Sequence, residues 1–229
     1  VPPSAGQPLG RTPAGSLILL CARWAVDPAD PVTLSAVLKH AFVRKRDMGN
    51  LVDLHFLRGP RRWKSLGELA ERIEQHDPED RHRAFSAEEQ AQGAAFIREL
   101  SNIVAQSGAD FSVTGTVNVA ASAQRIAALA GAISETPLPW AGEDGAGASR
   151  LLERIRELGA HLGEVTPGDM ADLVEAECAN LTVSLGEPEH SRLSIWGPLE
   201  ARLQSADLVV LAGLNEDVWP AKTPPDAFL

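Results

Sequence analysis

The sequence predicts a mainly α-helical protein followed by a short β-α-β piece. Apolar residues recur at helical spacing up to about residue 190, and after Gly186 the pattern changes to two short extended runs, RLSIWG and DLVVLAGL. The chain has 229 residues, of which 44% are hydrophobic and 23% charged, so it can bury a core of useful size.

The first two helices are indicated by a capping residue followed by proline. Thr12 precedes Pro13, and Asp30 precedes Pro31. Proline is favoured at the first helical position because its missing N–H would have no partner there. Each start is followed by an apolar stripe, formed by Leu17, Leu20, Cys21 and Trp24 in the first helix and by Leu34, Val37, Leu38 and Ala41 in the second.

The later helices are predicted from similar signals. A third helix covers about 66–75, Ser86 and Glu89 have the spacing of a capping box, and Thr166 caps a helix that begins at Pro167. The stripes predicted to be buried are Phe96, Leu100, Ile103 and Val104, then Ile126, Leu129, Ala130 and Ile133, then Leu151, Ile155, Leu158 and Leu162, then Met170, Leu173 and Val174. The segment 135–149, ETPLPWAGEDGAGAS, is rich in Pro and Gly and is predicted to be a flexible or variable loop.

The two extended runs near the end are predicted to form a β-α-β unit. About nine residues separate them, enough for one helical turn, and DLVVLAGL is apolar on both faces, as in a strand of a covered parallel sheet. Two strands need neighbours to be stable. We therefore expect the chain to be a fragment of a longer protein.

Positive charge is concentrated in one segment, 39–64. The whole chain carries a net charge of −10, which argues against a protein that coats nucleic acid. The segment nevertheless has a balance of +6, which leaves −16 for the remainder. Such a segment suits contact with a polyanion or docking on a partner subunit, although it could also be a solvated surface. Its basic residues are Lys39, Arg44, Lys45, Arg46, Arg58, Arg61, Arg62 and Lys64.

A longer string carries a family resemblance. Residues 192–220, RLSIWGPLEARLQSADLVVLAGLNEDVWP, closely resemble the AddB family of bacterial helicase-nuclease subunits that process DNA breaks, in the segment where related superfamily 1 helicases carry motif V. GQPLGRTPAG at 6–15 and LSAVLKHAF at 34–42 are similar to segments that open the helical insertion in that family. The resemblance implies a 2B-like helical insertion domain over 1–190 and a partial RecA-like helicase domain over 191–229.

The resemblance also implies a helicase-motif-like site. Glu200 matches the glutamate of the helicase turn and Glu216 the acidic residue of the following loop, and Arg202 and Asn215 lie in the same turn and loop. The turn reads GPLEARLQ and has no lysine, and Asp217 stands where such loops often have glycine. These departures favour a helicase-like scaffold that reads DNA over a motor. The alternative is that these side chains only tie the turn to the strand.

Catalytic chemistry is not expected within this chain. GPRRWKS at 59–65 lacks the spacing and second glycine of a phosphate-binding loop, and GEDGAGAS at 142–149 has no strand before it. Cys21 and Cys178 are predicted to be reduced core residues. The polar segment 76–82 is interpreted as a solvated loop. We therefore expect no metal site, no cofactor and no complete active site here.

The full-length family implied by the resemblance is an ATP-dependent helicase and exonuclease subunit that uses ATP, Mg and an iron-sulfur cluster. The implied partners are DNA, as a duplex end or single strand, and an AddA-like motor subunit. The longest apolar run, 17–22, is too short to span a membrane, so we expect a cytoplasmic protein. The resemblance implies that it is nucleoid-associated. The predicted role is DNA binding and architecture in DNA end processing for homologous recombination. The alternative is a helical protein-interaction module unrelated to DNA.

Overall fold

The computed structural model describes residues 6–60, 63–76, 86–135, 138–184, 201–202, 205–210 and 212. These residues contain eight α-helices, which confirms the prediction of a mainly α protein. The helices are α1 Pro13–Val26, α2 Pro31–Lys39, α3 Arg46–Val52, α4 Leu66–Glu74, α5 Ala87–Ser107, α6 Val119–Ile133, α7 Gly142–Leu162 and α8 Pro167–Asn180. Shorter helical pieces are the 3-10 turns Leu9–Arg11 and Leu138–Trp140 and the π-helix Asp53–Leu57.

Four helices begin where their capping residues predict. The side chains of Thr12, Asp30, Ser86 and Thr166 each accept a hydrogen bond from the backbone N–H three residues further on. At the start of α5, the Glu89 carboxylate accepts a hydrogen bond from the backbone N–H of Ser86, so the predicted capping box is complete. These bonds satisfy N–H groups that have no partner inside the helix.

Helix α1 is the centre of the fold. It packs against α2, α6, α7 and α8, and Leu17, Ile18, Cys21 and Trp24 are fully buried along it. The Trp24 indole Nε1 donates to the carbonyl oxygen of Pro28 at 2.9 Å, so its polar atom is satisfied inside the core. A helix covered on several sides holds the surrounding helices in one body.

Helices α4 and α5 pack closely and share a polar connection. The side-chain amide of buried Gln90, in α5, lies 2.8 Å from each of the carbonyl oxygens of Ile73, Glu74 and His76. The last carbonyls of a helix have no partner within it. Gln90 therefore caps the end of α4 from a neighbouring helix.

Two small antiparallel strand pairs fasten the helices. β1 (Gln7–Pro8) pairs with β4 (Thr182–Val183), which joins the segment before α1 to the end of α8. β2 (Val117–Asn118) pairs with β3 (Glu164–Val165), which joins the start of α6 to the turn after α7. Each strand has two residues, so the strands act as clips between helices and not as a core sheet.

The prediction of a loop over 135–149 is wrong for its second half, because helix α7 begins at Gly142. A Cβ atom on Gly145 would lie 2.3 Å from the carbonyl carbon of Trp140, and one on Gly147 would lie 2.7 Å from Cγ1 of Val183. These glycines let α7 approach its neighbours closely. In this segment glycine marks a packing contact and not a flexible loop.

Three side chains predicted to be buried by the helical stripes lie on the surface. Leu158 and Leu162 of α7 are 39% and 52% exposed, and Ala41 is exposed beyond the end of α2. Both leucines belong to the last two turns of α7, where the described residues leave that side of the helix uncovered. The apolar stripe of α7 therefore extends along the sequence beyond the part of the helix that packs against the core.

The described part of the predicted second strand is not in a sheet. Residues 207–210 have no strand assignment, and the side chains of Leu208, Val209 and Val210 are 80%, 67% and 78% exposed. A strand requires a hydrogen-bonded neighbour, and none of the described residues supplies one for this run. The other residues of RLSIWG and DLVVLAGL lie outside the described part, apart from Ala212.

Candidate nucleic-acid interface

The basic segment 39–64 runs from the end of α2 through α3 and the π-helix to the approach to α4. Arg61 and Arg62 lie outside the described residues. The other six predicted contact residues all have exposed side chains, namely Lys39, Arg44, Lys45, Arg46, Arg58 and Lys64. The segment thus places cations at the surface, as a contact with a polyanion requires.

A buried carboxylate lies among these cations. The Asp53 side chain is 5% exposed. Its Oδ2 atom lies 2.7 Å from Lys39 Nζ and 3.2 Å from Arg58 Nη2, and its Oδ1 accepts from the Ser35 hydroxyl at 2.5 Å. Burial on its own raises the pKa of the Asp53 carboxyl, but the hydrogen bonds donated by Lys39, Ser35 and Arg58 outweigh burial and hold that pKa below its usual value. The carboxylate therefore stays ionised.

The close contact between α2 and α3 assembles this cluster. Ser35 and Lys39 are four residues apart on one face of α2, and the Lys39 ammonium also donates to the Ser35 hydroxyl at 3.0 Å. A Cβ atom on Gly49 of α3 would lie 3.0 Å from both Cβ and O of Leu38, so glycine permits the approach. Asp53, one turn further on, then faces α2.

Lys45 attaches the turn before α3 to α5. Its backbone is left-handed, with φ of 53°, and its Nζ lies 2.5 Å from Glu99 Oε2 and 5.8 Å from the centre of the Phe96 ring. Its side chain is 57% exposed and that of Glu99 37%. Exposed pairs of this kind are weak, about 0–1 kcal/mol. Lys45 can therefore leave Glu99 for a stronger anionic partner at small cost.

Arg44 has a structural role that the sequence did not indicate. Its guanidinium donates to the carbonyl oxygen of Ala132, and its backbone N–H donates to that of Ile133 at 3.1 Å. Both carbonyls belong to the last turn of α6. A cation at a helix C-terminus satisfies carbonyls that have no partner and complements the helix dipole.

The structure describes one of the four helicase-motif-like residues, Arg202. Arg202 is described and lies exposed in a turn. Glu200, Asn215 and Glu216 lie outside the described residues. The predicted grouping of these four side chains stays a prediction.

A serine–histidine pair of the type found in hydrolase active sites was not predicted from the sequence. The Ser16 hydroxyl lies 3.1 Å from His40 Nε2, and the Phe42 backbone N–H donates to His40 Nδ1 at 3.2 Å. Because Nδ1 accepts, the proton of the neutral ring is on Nε2, which donates to Ser16; Ser16 in turn donates to the carbonyl oxygen of Pro13 at 3.0 Å. Burial lowers the pKa of His40, which favours this neutral form. A general base must accept the serine proton, so this pair joins α1 to the end of α2 and does not activate a nucleophile.

The cysteines do not fit the iron-sulfur cluster that the resemblance implies for the full-length family. Cys21 in α1 and Cys178 in α8 are both free and buried. Burial raises the pKa of both thiols, that of Cys178 to about 12. An iron-sulfur cluster needs four cysteine ligands, and this sequence has two cysteines. Within the described ranges, no group of three or more His, Cys, Asp and Glu side chains is placed to hold a metal ion. None of the described helices is long and apolar enough to cross a membrane.

Comparison with known proteins gives no match. No protein-family model matches the chain, and neither a curated protein nor a solved structure does.

Proposed function

We propose that this chain is a non-catalytic part of an AddB-like subunit, which binds DNA and provides architecture during DNA end processing for homologous recombination. The observation that carries the proposal is the string 192–220 and its resemblance to the AddB family. In this proposal an AddA-like motor subunit is the protein partner, and ATP turnover and DNA cleavage belong to other parts of the complex.

The basic segment supports a contact with the DNA backbone. Lys and Arg side chains that neutralise phosphates release counterions, and this supplies affinity that does not depend on sequence. The six described cations of the segment are exposed. The rest of the chain carries −16, which repels DNA. A single basic segment on an acidic body would thus orient the protein on the duplex.

The test is the salt dependence of DNA binding by the 229-residue chain. We expect binding to a fluorescent duplex with a single-stranded tail, measured by anisotropy, to weaken linearly in log–log form as salt rises. Replacing Arg46, Arg61 and Arg62 by Gln should weaken binding to all sequences alike. Each lost phosphate contact should reduce the slope of log K against log salt by about 0.7–0.9.

A matched control separates local from total charge. Arg11, Arg125 and Arg150 are exposed arginines outside the segment, and replacing them by Gln changes the net charge by the same amount. The control should leave the slope unchanged. If the parent does not bind DNA, or if both triple variants lose the same affinity, the proposed contact is wrong.

A second candidate is a helical module that docks an acidic protein. It is favoured by the fact that Lys39, Lys45 and Arg58 already bind carboxylates, those of Asp53 and Glu99. Binding to an acidic polypeptide such as polyglutamate at salt concentrations where tailed DNA does not bind would favour this candidate over the first.

A further inference from the structure

We propose that Asp53 is a positioning residue that holds Lys39 and Arg58 side by side as a binding site for a phosphate group. The inference rests on the proposed function in naming the DNA backbone as the source of that phosphate. The juxtaposition that carries it is two exposed cations joined to one oxygen of a buried carboxylate.

The geometry brings the two positive groups together. Lys39 Nζ and Arg58 Nη2 both bond to Oδ2 of Asp53, at 2.7 Å and 3.2 Å. The two nitrogens are therefore at most about 6 Å apart, close enough for both to reach one phosphate group. The side chains of Lys39 and Arg58 are 44% and 65% exposed, against 5% for Asp53. The carboxylate lies beneath, and the cations face the solvent.

Hydrogen-bond donors remain for a ligand. A lysine ammonium has three N–H donors, and two of those of Lys39 are directed at Ser35 and Asp53. An arginine guanidinium has five, and Arg58 directs Nε and one N–H of Nη2 at Asp53. The remaining donors match the several acceptor oxygens of a phosphate. The cluster as a whole also keeps a net positive charge, because two cations share one carboxylate.

The positioning role and a purely electrostatic role predict opposite effects of Asp53→Asn. This substitution removes a negative charge and raises the balance of the basic segment from +6 to +7. If charge alone governs binding, the variant should bind DNA more tightly. If Asp53 holds the cations in place, their side chains become free to rotate, and binding must then restrict two long side chains again. The variant should then bind more weakly.

The first experiment compares tailed-duplex binding by the full chain and three variants. We expect Asp53→Asn to weaken binding roughly threefold to tenfold, the effect of ordering two side chains less the gain in charge. Asp172→Asn, an exposed site in α8, makes the same change in charge and should bind as the parent does or slightly more tightly. Ser35→Ala disturbs both Lys39 and Asp53 without any change in charge and should weaken binding. Thermal melts by circular dichroism identify any variant that is not folded under the binding conditions.

The second experiment replaces DNA by inorganic pyrophosphate and follows the Arg58 Nε–H signal by NMR. A shift in the parent that is lost in Asp53→Asn and Ser35→Ala supports the phosphate site, even if the parent fails to bind DNA and the proposed function falls. The site is overturned, and the proposed function is left standing, if Asp53→Asn binds DNA as tightly as the parent and pyrophosphate does not shift the Arg58 signal of the parent. Polyglutamate is added at the same molar concentration of negative charge as pyrophosphate. If it shifts the Arg58 Nε–H signal equally, the assignment of the site to phosphate is overturned.

Discussion

The contact between α6 and α7 depends on glycine at position 159, and replacing it by alanine tests this dependence. A Cβ atom on Gly159 would lie 2.5 Å from the backbone nitrogen of Ala120, 2.9 Å from its Cα and 3.0 Å from its Cβ. Two of these neighbours are backbone atoms, which cannot rotate away. The two helices would therefore have to separate along one of the most extensive contacts of the fold.

The expected magnitude is the difference between two opposing effects. Alanine in a helix interior is favoured over glycine by about 1 kcal/mol. Inserting an atom into a well-packed contact costs about 1–3 kcal/mol, and the high end applies where backbone is the obstacle. We therefore expect Gly159→Ala to lower the free energy of unfolding by about 1–2 kcal/mol.

Gly131→Ala is the matched control in α6. A Cβ atom there would lie 3.7 Å from Trp140 Nε1, an ordinary van der Waals distance. This variant should raise the free energy of unfolding by about 0.5–1 kcal/mol. Urea denaturation followed by far-ultraviolet circular dichroism should separate the two variants by about 2 kcal/mol, or about 4–8 °C in Tm. If both substitutions stabilise the protein, the close approach of α7 to Ala120 is refuted.

Three further predictions concern stability. Burial lowers the pKa of His40 below its ordinary value of 6.5, so the unfolded chain binds a proton at this residue more readily than the folded protein does. The free energy of unfolding should therefore fall as the pH drops below 6.5. In urea denaturation between about pH 5 and pH 7, His40→Gln should reduce this dependence of stability on pH. Gln90→Leu should lower the free energy of unfolding by about 1–3 kcal/mol, because the carbonyls at the end of α4 lose their donor; unchanged amide exchange in α4 would contradict this. Ser86→Ala should cost about 1 kcal/mol through loss of the cap of α5, whereas Ser184→Ala, at an exposed position after β4, serves as the comparison in the same denaturation assay.

The helix starts could be predicted from the sequence because their causes are local. A cap such as Thr12 or Ser86 bonds a backbone N–H three residues away, so residue type and spacing carry the whole signal. The start of α7 could not be predicted in this way. Gly147 has poor helix propensity, and the reason for it is the close approach of Val183, a contact between distant positions that exists only after folding.

The same distinction between local and long-range causes applies to the candidate site. The charge count identifies the basic segment 39–64, in which cations such as Arg46 and Lys64 are exposed. It gives no information on their partners, because these come from distant positions. Lys45 reaches Glu99, 54 positions further on, and Arg44 reaches Ala132, 88 positions further on. The Ser16 and His40 pair, 24 positions apart, was missed for the same reason.

These partners determine how the basic segment can be tested. Replacing Arg44 would remove a donor from the last turn of α6, whereas the weak, exposed pair of Lys45 with Glu99 can be lost at small cost. A loss of DNA binding in an Arg44 variant would mix an altered fold with a lost phosphate contact. Arg46 is exposed on α3, and its charge can be removed without breaking any bond found among the described residues. The cations that give the basic segment its charge of +6 are therefore not equivalent. Those whose bonds stabilise the fold have to be kept when the remaining cations of the segment are replaced.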